Sequence, residues 1–369
     1  MRRGRWVRLC AAVAVVAGGV VWAQGPVGAV DTDLVAFAQQ AAGQRVVYSY
    51  PGLTPPASLL ARIRAGEAAG VIFFGDNISS SSQIAGVVAQ LRAAAAQSPV
   101  HEPLLLMTDQ EGGQVRRLPG DPALSHKDVG ASANPSSAAT TAGRGAGTNL
   151  AGVDMNVNLA PVLDVYHAPG DLMDQYERSF SQDPAAVSTL GANYVRAEQG
   201  EGVAATVKHF PGLGKAAASE NTDLRPVTLN VPLSTLRSVD EAPYQASIAA
   251  GAKLVMLSWA VYPALDANRP AGLSSVVIQQ ELRSRNGFGG VTVSDALEAG
   301  ALQNFGSVGN RAVLAADAGV DLILASARDV SQGDQAATAL ANALADGTLD
   351  PGAFGDALAR IHALRAGLS

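Results

Sequence analysis

The chain has 369 residues, 48% of them hydrophobic and only 16% charged, with a formal net charge of −6. That balance belongs to a folded globular protein and excludes a largely disordered one. The mild acidity leaves no electrostatic footprint for nucleic acid. The length allows one large domain or two.

Met1-Arg2-Arg3-Gly4-Arg5 is basic and leads into an apolar stretch at residues 9–22, after which small residues permit cleavage after Ala23 or Ala29. The apolar stretch is short for a membrane span. We therefore expect residues 1–29 to be an export signal and residues 30–369 to form one domain. The protein would be secreted or held in the cell envelope, with no membrane insertion once the signal is removed. Cys10 is the single cysteine. The processed chain would then have no disulfide, no thiol nucleophile and no cysteine-bound metal. Its stability must come from its core, which a chain of about 340 residues can supply.

Short apolar runs follow in order at residues 45–48, 71–74, 103–108, 154–160, 203–209, 253–258, 291–295 and 320–325. Each reads as a buried strand. Alanine-rich segments with helical spacing lie at 82–96, 136–150, 184–201, 234–250 and 334–345, and a final helix is expected at 351–366. Strands alternating with helices imply a parallel sheet with helical crossovers. Eight strands over this length predict a (β/α)8 barrel of the TIM type, with a doubly wound open sheet as the alternative. No Gly-x-Gly-x-x-Gly follows an early strand, which argues against dinucleotide binding.

Three of these strands end in charged groups. Asp109 and Glu111 follow the third, Lys208-His209 closes the fifth, and Asp295 closes the seventh. Adjacent Lys and His in a buried strand cost desolvation unless a partner offsets it. One charged strand end is a salt bridge or a helix cap. Three together read as a shared polar mouth at the C-terminal face of the barrel, where active sites of this fold sit.

Six phrases carry a resemblance. They are Asp109-Gln-Glu-Gly-Gly-Gln-Val-Arg-Arg-Leu118, Asn158-Leu-Ala-Pro-Val-Leu-Asp164, and Glu177-Arg-Ser-Phe180 with Asp183-Pro184. Lys208-His-Phe-Pro-Gly-Leu-Gly214, Tyr262-Pro-Ala-Leu-Asp266 and Gly287-Phe-Gly-Gly-Val-Thr-Val-Ser-Asp295 complete the set. In this order they resemble glycoside hydrolase family 3, in the branch containing single-domain β-N-acetylglucosaminidases. The resemblance implies an exo-acting, retaining glycosidase for terminal β-linked N-acetylglucosamine, including that of cell-wall fragments. It places Asp295 at the family's nucleophile, and Asp109, Arg117, Arg178, Lys208 and His209 at positions that bind the first sugar. It implies a carbohydrate substrate. No metal or organic cofactor is expected, since the processed chain lacks clustered His and Cys ligands.

The loop after Lys208 departs from that pattern. This branch carries an Asp-x-His pair there, and its His is the general acid/base. Here the loop reads Leu213-Gly-Lys-Ala-Ala-Ala-Ser-Glu-Asn-Thr-Asp223, which puts Ser219 and Asn221 in those places and contains no histidine. Asn cannot protonate a leaving group. Asp223, and after it Glu220, are the substitute candidates; the alternatives are an enzyme confined to substrates with good leaving groups and a non-catalytic or weakly active sugar-binding barrel. Trp259 stands where relatives often have His, and we expect its indole to add a stacking surface near the site. Glu111 and Asp164 read as structural, the former through turn and backbone bonding near Gly112-Gly113. His167, in the loop after the fourth strand, is a candidate to reach the mouth.

Overall fold

A computed structural model describes the backbone of residues 11–16, 19–24 and 32–368, and side-chain environments from residue 36 onward. Residues 11–16 and 19–24 pair as a small antiparallel ladder. The rest of the expected export signal lies outside the described residues. Among the described residues no helix is long and apolar enough to cross a membrane.

All eight expected strands are present: β1 (Val46–Tyr48), β2 (Gly70–Ile72), β3 (Leu105–Thr108), β4 (Val157–Asn158), β5 (Ala204–Phe210), β6 (Leu254–Leu257), β7 (Val291–Ser294) and β8 (Ile323–Leu324). Neighbours in the sheet run β7-β6-β5-β4-β3-β2-β1-β8, and every pair is parallel. A parallel bridge between Val293 and Leu322 joins β7 to β8 and closes the ring. This is the (β/α)8 barrel, not the open sheet.

Alternation along the strands divides the apolar residues into two layers. Val47, Leu105, Met107, Leu254, Met256, Val291 and Val293 belong to the cluster that fills the barrel. Their strand neighbours Val46, Tyr48, Leu106, Val255 and Leu257 belong to the larger cluster shared with the helices. Buried on both faces, the strands therefore read as continuous apolar runs. Ile361 and Leu364 of the last helix, α9 (Pro351–Ala366), join the inner cluster. The C-terminal helix thus packs onto the barrel filling.

The helices start where caps and prolines allow. In α5 (Pro184–Gln199), Asp183 accepts a hydrogen bond from the Ala185 N–H at 3.0 Å, with Pro184 at the first helical position. Helix α4 (Pro135–Ala151) crosses α5 closely because Gly143 has no side chain: a Cβ there would lie 2.4 Å from the Tyr194 carbonyl oxygen.

The differences from expectation have local causes. Strand β4 is far shorter than 154–160 because asparagine side chains take over its ladder. Asn156 accepts from the Leu106 N–H (2.9 Å), and Asn158 accepts from the Gln110 N–H (2.9 Å). The expected helix at 234–250 is interrupted at Leu236–Asp240, where the turns widen, and resumes as α6 (Ala242–Ala249). Pro243 lacks the N–H that would carry the helix through. A wide-turned helix at Val276–Arg285 and α7 (Val308–Ala318) lie outside the expected segments. The first begins Val-Val-Ile, a β-branched run that disguises it.

Candidate active site

The C-terminal ends of the strands surround a cavity of about 600 Å³. Asp109, Arg117, Arg178, Lys208, His209, Asp223 and Asp295 all line it. Of the site residues expected from sequence, only Glu220 is missing from its walls.

Lys208 is 2% exposed and holds two carboxylates, Asp109 at 2.7 Å and Glu111 at 2.8 Å. Glu111 in turn accepts from Nε and Nη2 of Arg178 at 2.9 and 2.8 Å, a two-pronged guanidinium–carboxylate pair. The role expected of Glu111, turn bonding near Gly112-Gly113, is therefore corrected: it bridges the two cations. Burial alone would push its carboxyl up, but Arg178 and Lys208 hold it far below the usual range. Burial likewise disfavours charge on Lys208, and Asp109 and Glu111 more than reverse this. An ammonium has three donors, so with two engaged one remains for a ligand.

Asp164 does bind its loop, and more. Its Oδ2 lies 2.7 Å from Nδ1 of His209, and its Oδ1 accepts from the Leu213 N–H at 2.7 Å. With Nδ1 engaged, His209 has Nε2 left for the cavity. Gln110 supports the segment carrying Arg117. Its side-chain oxygen accepts from the N–H groups of Arg117 (3.0 Å) and Leu118 (2.9 Å). The guanidinium of Arg117 makes no salt bridge among the described residues.

Asp295 follows β7 and accepts from the Ala296 N–H at 2.7 Å. Burial raises its pKa and His209 opposes the shift; Asp223 adds to it, and the net direction is up. Asp223 thus acts on Asp295 across the cavity. Its loop is docked beside Asp295: the Asp223 carbonyl accepts from the Gly300 N–H (2.8 Å) and the Thr222 carbonyl from the Ala301 N–H (2.9 Å). Gly300 permits this approach, since a Cβ there would lie 2.3 Å from the Leu224 carbonyl oxygen. Asn221 turns its side chain onto its own loop, accepting from the Asp223 N–H at 2.8 Å. Glu220 accepts from the Ala217 N–H at 2.8 Å, again within the loop.

Trp259 overturns the expected stacking surface. It is 1% exposed and contributes nothing to the cavity wall. Its Nε1–H donates to the Ala296 carbonyl at 2.9 Å, so it braces the residue after Asp295 from behind. His167 does not reach the mouth either, because its Nε2 lies 2.9 Å from Asp240. Phe74, Glu298 and Arg328 line the cavity and escaped the sequence reading. Arg328 sits four residues beyond the end of β8, a strand end as open to inspection as the other three. Among the described residues no cluster of His, Cys, Asp or Glu is arranged to hold a metal ion.

Residues 49–364 match the family model described as the glycosyl hydrolase family 3 N terminal domain. The chain belongs to glycoside hydrolase family 3. An uncharacterized secreted glycosyl hydrolase of Arthroderma benhamiae is 45% identical over 89% of this chain and 93% of its own length. A β-hexosaminidase of Xanthomonas oryzae pv. oryzae is 39% identical over 69% of this chain and 75% of its own. Among solved structures, the family 3 β-N-acetylglucosaminidase from Paenibacillus sp. superposes with a TM-score of 0.84 at 33% identity, covering 92% of this chain. This chain spans 63% of that longer protein. A β-N-acetylhexosaminidase from Beutenbergia cavernae gives a TM-score of 0.81 at 32% identity, covering 89% of this chain and 98% of its own.

Proposed function

We propose that the protein is an exported, retaining exo-glycosidase that removes terminal β-linked N-acetylglucosamine. The observation that carries this reading is that two carboxylates, Asp295 and Asp223, face one cavity floored by the Asp109–Lys208–Glu111–Arg178 network. The names borne by the Xanthomonas and Paenibacillus relatives support the sugar, and that of the Arthroderma relative supports export.

In this mechanism Asp109, Arg117, Arg178, Lys208 and His209 hold the first sugar's hydroxyls. The carboxylate of Asp295 attacks the anomeric carbon as the glycosidic C–O bond breaks, and the departing oxygen takes the proton of Asp223. Asp223 then takes a proton from water, which displaces Asp295 and releases the sugar with its original configuration. Carboxylates without cation partners around the reacting carbon favour its oxocarbenium-like transition state.

The test compares an aryl N-acetylglucosaminide, whose leaving group needs little protonation, with a β-linked disaccharide. Asp223→Asn should lose about 10²–10⁴ in rate on the disaccharide and far less on the aryl substrate. Glu220→Gln should match wild type on both. Asp295 must be ionised to attack, so activity falls as pH drops through its raised pKa, above the ordinary 3.8. Equal losses on the two substrates would remove Asp223 as the acid.

One observation favours a second reading, a sugar-binding barrel without turnover: Asn221, in the place of the family's catalytic His, is spent on its own loop. That reading requires sugar binding with no hydrolysis of either substrate.

Trp259→Phe checks the brace behind Asp295. It keeps an aromatic ring but loses the indole N–H hydrogen bond, about 1 kcal/mol, and part of the buried bulk. We expect kcat to fall several-fold with KM little changed. A change in KM alone would contradict a positioning role.

A further inference from the structure

The residues that hold the first sugar come from β3, the β4–α5 loop and β5, and occupy one side of the mouth. The opposite side is built as deliberately and has no task in the reading above. The guanidinium of Arg328 lies over the Phe74 ring, 4.7 Å from its centroid. Its backbone is left-handed, with φ at 58°, rare for a residue with a side chain. Ser49 holds it there by accepting from the Arg328 N–H at 2.8 Å. Phe74 is fixed as well, its N–H donating to Asn77 at 2.8 Å. Backbone strain kept in place by such contacts is found where a ligand is gripped. A cavity of about 600 Å³ is of the size that holds ligands larger than one sugar ring.

Charge identifies the ligand. Arg328 is paired with Asp76 at 3.3 Å, and Lys208 and Arg178 are paired with Asp109 and Glu111. Among the described residues, Asp223, Asp295 and Glu298 line the cavity without a cation partner, against Arg117 as the cation without a carboxylate partner. Glu298 accepts from the Ser326 hydroxyl (2.8 Å) and from Gln332 (3.1 Å), both neutral. We propose that the Phe74–Arg328 wall is the subsite for the leaving part of the substrate, and that it takes an uncharged or amino-bearing pyranose and rejects a carboxylate-bearing one. The arene and the stacked guanidinium offer a flat face to the ring, and the guanidinium edge offers donors to its hydroxyls. A carboxylate on that ring would approach Glu298 and Asp223, while the unpaired cation, Arg117, follows β3 among the residues that hold the first sugar. The inference rests on the proposed function and narrows it to neutral or amino-sugar oligosaccharides over the anionic fragments of cell walls.

The test is calorimetric binding to the full chain carrying Asp295→Ala, which holds substrates uncleaved. The ligands are N-acetylglucosamine, its β-1,4-linked disaccharide, and the same disaccharide with a lactyl ether on the second ring. We expect the neutral disaccharide to bind at least ten-fold tighter than the lactyl one, and Glu298→Gln to narrow that gap. Phe74→Ala should weaken the neutral disaccharide at least five-fold and leave the monosaccharide unchanged. Arg328→Gln, which leaves the ring in place, should act in the same direction. Equal or tighter binding of the lactyl disaccharide overturns the proposal, as does a loss shared equally by mono- and disaccharide. Binding of the monosaccharide without discrimination on the second ring sinks the subsite alone. Failure of all three ligands to bind sinks the glycosidase reading with it.

Discussion

Asp295→Ala is expected to lower turnover by a factor on the order of 10⁴–10⁶, as removal of a covalent nucleophile does. The loss should hold even for aryl substrates, because a good leaving group cannot replace the attacking oxygen. Two features of the structure make the prediction sharper than a simple knock-out. The carboxylate is anchored by the Ala296 N–H, so alanine removes the reacting atoms and leaves the backbone bond pattern of β7 in place. The truncated side chain also leaves space at the cavity wall for a small anion. Azide added to this variant should restore turnover of the aryl substrate and yield the α-glycosyl azide, because it attacks from the face Asp295 occupied. Nuclear magnetic resonance of the product reads the configuration. A β-azide, or unchanged turnover in the variant, would place the nucleophile elsewhere.

Glu111→Gln should have the largest effect on stability. Glu111 is 2% exposed and is shared by Lys208 and Arg178. Without its charge, the buried Lys208 and the half-buried Arg178 are left with Asp109. Breaking a buried ion pair from one side costs about 3–5 kcal/mol, mostly as the desolvation of what remains. The pH dependence follows from the direction of the shift. The Glu111 carboxyl is held below its ordinary value of 4.5 in the folded chain. Its contribution is therefore complete above 4.5 and is lost as pH falls from there through the folded value. The stability gap between wild type and Glu111→Gln, measured by urea unfolding, should be constant at neutral pH. At pH 3 it should be about 2 kcal/mol smaller, at 1.36 kcal/mol per pH unit. A gap that does not change with pH would mean that the carboxylate charge is not what binds the two cations.

The strand order was readable because barrel strands are short, apolar and followed by charge, which makes each C-terminal end visible in one dimension. Asp109, Lys208, His209 and Asp295 were found in that way. Glu111 was misread because both of its partners are remote in the chain. Arg178 is 67 residues away, and in sequence Glu111 has only the neighbouring glycines to explain it. His167, only a minor candidate for the mouth, is held away from it by Asp240, 73 residues on. Trp259 shows a different limit. A strand end says that a residue is near the site, but one residue's difference in register decides whether it faces the cavity or backs it. Glu220 and Asp223 could not be separated by position, and it is the hydrogen bond from the Ala217 N–H that turns Glu220 back into its loop.

The filled barrel has a consequence for traffic. Met107, Met256, Leu159 and Leu324 occupy the interior beneath the mouth, and Ile361 and Leu364 of α9 pack onto that filling. A sugar bound above them has no passage through the barrel. A chain end that enters must leave by the same door, and the freed sugar sits at the blind end, behind the remainder of the chain. The remainder has to depart before the sugar can follow. Each cleavage is then a separate visit, so digestion of a long oligosaccharide should shorten the whole population evenly instead of consuming a few molecules to completion.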